Sequence, residues 1–185
     1  MLTLFLTILL SVSPWQAVNQ VSAAQKKDFI QLIKTLPHKG EFYTDAAVKK
    51  ARPYLPVLLS LTEKDIGMYD IYPFLALSRG LCDRKAQRDY AVRHFAKISH
   101  PTLKLGWGVM LFDSGATSPE IVHFLRAALE AEDQSKSLAE MLGPEYESFR
   151  RRVKSWPAHN KRWQRPGINS SLIDNPPLAQ LTPGR

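Results

Sequence analysis

Cysteine is almost missing from this chain: Cys82 is the only one in 185 residues. No disulfide can therefore form within one chain, and the fold must rest on its apolar core even in an oxidising compartment. A lone thiol either pairs between chains or serves as a small buried apolar residue. Strands are missing too, since no stretch alternates apolar and polar residues as a half-buried strand does. The expected fold class is all-α. The chain also has no C-x-x-C, no H-E-x-x-H and no Walker loop, so the metal and nucleotide chemistries that depend on those spacings have no support. Gly106-Trp107-Gly108 is a lone G-x-G inside a predicted helix and reads as close helix packing. Asp113-Ser114-Gly115 reads as a helix end, because a nucleophile elbow needs G-x-S-x-G on a strand-to-helix turn. No catalytic residue, metal site or cofactor is assigned from the sequence.

The first 24 residues carry no charged side chain, and residues 2–12 are apolar except for two Thr and one Ser. A spanning helix needs about 20 apolar residues and a secretory core about 7–15. The run is sized for a secretion signal. Pro14 ends it, and Val21-Ser22-Ala23 or Ser22-Ala23-Ala24 offers small residues to a signal peptidase. One feature departs from that pattern: the first cation is Lys26, whereas a signal normally opens with a basic residue. The expected organisation is a cleaved signal over 1–24, a helical domain over 25–156, and a basic, proline-containing tail over 157–185 that is mostly disordered. The expected address is periplasmic or secreted, which sets nucleic acid aside as a partner.

The formal charge of +8 is unevenly placed. Residues 25–149 hold 17 Lys/Arg and 16 Asp/Glu, whereas residues 150–185 hold 8 Lys/Arg and only Asp174. The body is close to neutral and the excess sits at one end.

Helical periodicity and caps predict a row of helices. Residues 25–36 turn Phe29, Leu32, Ile33 and Leu36 inward and stop at Pro37. Thr44 caps a segment with Ala47, Val48 and Ala51 inward. Residues 53–61 form a short buried helix with Pro53 and Pro56 in its first turn. Thr62 and Asp65 start a nearly all-apolar helix over 66–78. Asp83 caps residues 85–98, with Ala86, Tyr90, Phe95 and Ile98 inward. Pro101 opens a helix with Leu103, Trp107, Met110 and Leu111 on its apolar face. Ser118 opens the next, with Ile121, Phe124, Leu125, Ala128 and Leu129 inward. Ser137 and Glu140 cap a short turn ending at Gly143, and residues 144–156 place Tyr146, Phe149, Val153 and Trp156 on one side.

Phe74 to Gly80 lies over Val109 to Gly115 at an offset of 35 residues, apolar over apolar and glycine over glycine. A period of this size is typical of stacked helical hairpins. His100-Pro101-Thr102-Leu103-Lys104, then Leu111, Gly115, Ser118-Pro119-Glu120, Val122, Leu125 and Ala128-Leu129, resembles HEAT repeats of the short, phycobilisome-lyase-like type. The resemblance extends roughly over residues 62–130. It departs where Gly106 and Gly108 replace the usual alanines and where Pro53 and Pro56 crowd the preceding unit. The resemblance implies a curved helical stack used for binding, and no cofactor follows from it; the 35-residue echo predicts a right-handed or gently curved stack of about seven helices with no sheet.

Candidate chemistry is sparse. His94, His100 and His123 lie in neighbouring units, without the spacing of a metal motif. Asp70 stands among Tyr69, Tyr72 and Phe74 in a predicted apolar helix, where burial would raise its pKa. It either serves a groove carboxylate reaction or binds a tyrosine hydroxyl. Glu130, Glu132 and Asp133 read as a solvated acidic helix end. The strongest candidate runs from residue 150 to 165, with seven cations and no acid: Arg150, Arg151, Arg152, Lys154, Lys161, Arg162 and Arg165, interleaved with Trp156 and Trp163. Such a stretch binds anionic lipid or an envelope polyanion, or else its tryptophans close the open end of the helical stack. The leading expectation is an exported module that binds another protein, with this basic stretch as a second contact. A small exported hydrolase and a structural envelope protein are the alternatives.

Overall fold

A computed structural model describes residues 21–39 and 42–156 of the chain. These residues form ten α-helices, three single 3-10 turns and one minimal hairpin, so the all-α class holds. The predicted signal over 1–24 lies almost wholly outside the described residues, as does the tail over 157–185. No helix among the described residues is long and apolar enough to cross a membrane.

Helix α1 (Ala23–Thr35) opens on a reciprocal cap: Ser22 Oγ accepts from Gln25 N at 3.2 Å, and Gln25 Oε1 accepts from Ser22 N at 2.8 Å. Its buried face is Phe29, Ile30 and Ile33, and Leu36 is buried just beyond. Strands β1 (His38–Lys39) and β2 (Phe42–Tyr43) then pair antiparallel, His38 opposite Tyr43. The expectation of no sheet at all is corrected by this two-residue ladder. Thr44 caps α2 (Asp45–Ala51) as expected. Pro53 lies in a 3-10 turn and Pro56 in the first turn of α3 (Leu55–Ser60), where neither removes a needed helix bond.

The expected helix over 66–78 is two pieces. Helix α4 (Glu63–Ile66) ends at Gly67, whose φ of 56° only glycine adopts readily, and α5 (Tyr72–Leu81) starts afresh with Pro73 in its first turn. Asp65 completes the α4 cap. Its Oδ2 accepts from Thr62 N and Thr62 Oγ1, both at 2.8 Å, and from Lys26 Nζ at 2.6 Å, which ties α1 to α4.

Helix α6 (Lys85–His94) also differs from expectation. Arg84 occupies its N-cap without a side-chain bond, Asp83 does not cap it, Ala86 is exposed, and a 3-10 turn over Phe95–Lys97 ends it early. Helix α7 (Pro101–Asp113) is buried on nearly every side, with Leu103, Trp107 and Leu111 fully enclosed. It packs against α5, α6 and α8 and forms the centre of the molecule. Its glycines let neighbours in: a Cβ on Gly106 would meet Leu75 Cδ2 at 2.5 Å, and one on Gly108 would meet Leu125 Cδ2 at 3.2 Å. Ser118 caps α8 (Pro119–Glu130). The Ser137–Glu140 capping turn is replaced by a continuous helix α9 (Glu132–Leu142), within which Ser137 Oγ donates back to Asp133 O at 3.0 Å. Gly143, at φ 50°, ends α9, and α10 (Tyr146–Ser155) packs on α8 and α9.

The two segments related by the 35-residue offset end α5 and α7, but their glycines differ. Gly80 is inside α5, where a Cβ would sit 2.7 Å from Val48 Cγ2, whereas Gly115 follows α7 at φ 77°.

Candidate functional site

The start of the basic stretch is the last helix of the fold, and its side chains divide by helical spacing. Phe149 and Val153 point into the core, with Tyr146 and Trp156 half-buried beside them. Arg152 shares that side. Its guanidinium reaches Asp113 Oδ1 at 2.7 Å and lies 5.6 Å from the Phe112 ring centre and 5.7 Å from that of Phe149. Trp156 packs on Phe112 with ring centres 5.4 Å apart. Arg126, from α8, donates to the carbonyls of Val153 at 3.1 Å, Lys154 at 3.3 Å and Trp156, and so closes the carbonyl end of α10. Arg152 and Trp156 are thus occupied by the fold. Arg151 and Lys154 face solvent, and the partly exposed Arg150 reaches Glu147 at 3.5 Å. Lys161, Arg162, Trp163 and Arg165 lie outside the described residues.

Burial raises the Asp113 carboxyl above its ordinary range, and the hydrogen bond and charge of Arg152 oppose that rise. The pair joins the end of α7 to α10.

The other candidates do not converge. Asp70 is exposed in the turn before α5, where its Oδ1 accepts from Tyr72 N at 3.0 Å, so the expected burial in an apolar helix is corrected. Glu130, Glu132 and Asp133 are exposed, the last two in the first turn of α9, where acid suits the helix dipole. His100 is buried as the N-cap of α7, with Nδ1 accepting from Leu103 N at 3.4 Å. His94 is half-buried against Tyr90, at a ring separation of 4.4 Å, and His123 is exposed. Among the described residues no group of three His, Cys, Asp or Glu side chains could hold a metal ion.

Two open grooves mark the surface. One, of about 460 Å³, lies between the turn before α7 and the α8–α9 pair, lined by Ile98, Pro101, Lys104, Phe124 and Gln134. Lys104 Nζ lies over both Phe95 and Phe124, at 5.3 and 5.4 Å. The other, of about 580 Å³, is lined by residues of α2 and α5 together with Phe42, Tyr43, Asp83 and Arg84. Lys49, Arg52 and Arg79 also line it.

Among the described residues the exposed large apolar side chains are Phe42, Tyr54, Met68, Tyr69 and Tyr72, all between residues 42 and 72. Met68 is fully exposed and Phe42 is 56% exposed. Tyr69 is held by Lys34, whose Nζ is 3.3 Å from its hydroxyl and 4.3 Å from its ring centre. Sequence reasoning missed this surface because it read Tyr69 and Tyr72 as part of one buried helix. The Gly67 and Pro73 pair was the signal that could have exposed the break. Compared with known proteins, the chain matches no protein family, no curated protein and no solved structure.

Proposed function

We propose that the chain is an exported α-helical binding module, built as a repeat-like stack, whose body docks another protein. Its basic C-terminal stretch is a second contact, to anionic lipid or an envelope polyanion. The observation that supports the first part most is the placement of the exposed apolar residues. Single exposed apolar side chains are ordinary on a soluble surface. Here the large ones, Phe42, Tyr54, Met68, Tyr69 and Tyr72, fall between residues 42 and 72, and the segment over 73–156 exposes none. A protein-binding surface concentrates aromatic residues and Met in this way.

The test is site-resolved photo-crosslinking in the native envelope. A photoreactive phenylalanine at Tyr69 or Tyr72 should give a discrete adduct with a second protein, and one at His123 or Glu147 should not. Adducts of equal yield from all four positions would sink the reading. The second contact is tested by replacing Arg151, Lys154, Lys161 and Arg162 with Gln. Binding to anionic vesicles should weaken and depend less on salt. Unchanged vesicle binding at physiological ionic strength would remove the anionic-surface contact from the account.

A further inference from the structure

We infer that the α2–α5 groove is a docking site for an extended acidic segment of a partner protein; this deepens the binding-module reading and rests on it. Val48, Ala76 and Gly80 supply an apolar part of its lining. The Cβ that Gly80 lacks would fall within 2.7 Å of Val48 Cγ2, so the glycine sets how near the two helices come. The lining also holds four cations, Lys49, Arg52, Arg79 and Arg84, against two acids, Asp45 and Asp83.

The four cations make no ion pair with a carboxylate of the described residues: none of Lys49, Arg52, Arg79 and Arg84 has one within 4.0 Å. Some cations outside the groove are held by carboxylates: Lys26 by Asp65, Lys85 by Asp89 and Arg152 by Asp113. The Arg52 Nε–H is buried with no hydrogen-bond partner among the described residues. Arg79 lies 6.0 Å from the exposed Phe42 ring, which gives one end of the groove an apolar face beside a charge.

The arrangement selects the occupant. A compact dianion placed among the cations would also meet Asp45 and Asp83, which repel it. A chain with carboxylates at intervals can approach cations on α2, α5 and the turn before α6 separately, and set apolar residues over Val48, Ala76 and Phe42. The protein's own C-terminal stretch is a poor occupant, because residues 150–185 hold 8 Lys/Arg and one acid. A groove of about 580 Å³ is within the usual range for a binding cleft.

The test uses the full chain and a fluorescein-labelled peptide of alternating Glu and Leu, with the Gln/Leu peptide as its neutral twin. Fluorescence anisotropy should show the acidic peptide bound at least about tenfold more tightly than the neutral one. The K49Q/R79Q/R84Q variant should lose that preference and most of the salt dependence, while K27Q/K64Q/K136Q, on other surfaces, should bind like the parent. Circular dichroism checks the fold, and the single variants R79Q and R84Q are read if the triple loses helix. Equal binding of the two peptides, or equal loss in both triple variants, overturns the proposal. Displacement of the peptide by millimolar inorganic phosphate would make this a compact-anion site and also overturn it. Self-association of the parent that the groove variant abolishes would make the occupant a second copy. If the groove fails while cross-links from Tyr69 and Tyr72 persist, only the acidic-segment chemistry is lost; if both fail, the binding-module reading goes with it.

Discussion

Cys82 shows how little a residue type says before its burial is known. The side chain is 8% exposed in the core, and burial pushes its thiol up to about 12. Pairing between chains would require it to leave that environment. The expected outcome is no reaction with a thiol reagent at pH 8 in the native protein and rapid, stoichiometric reaction in denaturant. His100 is the complementary case. Burial holds its pKa below the ordinary histidine value, with Glu63 opposing, and its Nδ1 must be unprotonated to accept from Leu103 N. Burial, then Lys97 and Arg93, lowers His94 as well. The unfolded chain therefore binds more protons at these sites, so stability falls as pH drops through the unfolded value of about 6.5 and levels off below the folded one. Urea midpoints measured from pH 7.5 to 5.5 should decrease, and His100→Asn, which keeps a capping oxygen, should shrink the decrease. Leu111, fully buried in α7, should cost about 2–5 kcal/mol when replaced by Ala.

At the scale of helices, the legible parts were those written in short-range chemistry. Pro101 and Pro119 after His100 and Ser118, and Thr44 before α2, announce their helix starts because capping involves residues only three apart. The misreadings share another cause. Periodicity alone carried the 66–78 and 85–98 predictions through Gly67 and through the 3-10 turn at Phe95, where tertiary packing redirects the chain. Ser137 looked like a cap and is a helix-interior serine bonded to its own preceding turn. Glycines at helix contacts predict a contrast. Gly80→Ala drives a methyl against β-branched Val48 and should cost about 1–3 kcal/mol. Gly106→Ala meets only the end of the Leu75 side chain and should cost less, since Leu75 can rotate and Ala favours helix by about 1 kcal/mol. Arg126 is the other element-scale device. Arg126→Gln should fray the end of α10 and expose Trp156, read as a red shift in tryptophan emission and a loss of about 1–3 kcal/mol in stability.

For the whole molecule, charge is unevenly placed between body and C-terminal end. The near-neutral body and the strongly basic end were legible from composition. The α2–α5 groove was not, because Phe42, Lys49, Arg79 and Arg84 are brought together by helix packing and share no local motif. The basic stretch was legible as a candidate but not in its parts: only the fold reveals that Arg152 and Trp156 are used in packing while Arg151 and Lys154 are exposed. The central claim is that the protein carries two independent contacts, a groove in the body and a cationic end. Backbone amide NMR on the chain from residue 21, titrated separately with the Glu/Leu peptide and with anionic vesicles, tests it most directly. The peptide should shift signals of residues 42–54 and 76–84 and leave 150–165 unmoved, and the vesicles should broaden 150–165 and leave the groove unmoved. Both ligands perturbing the same residues would contradict the account.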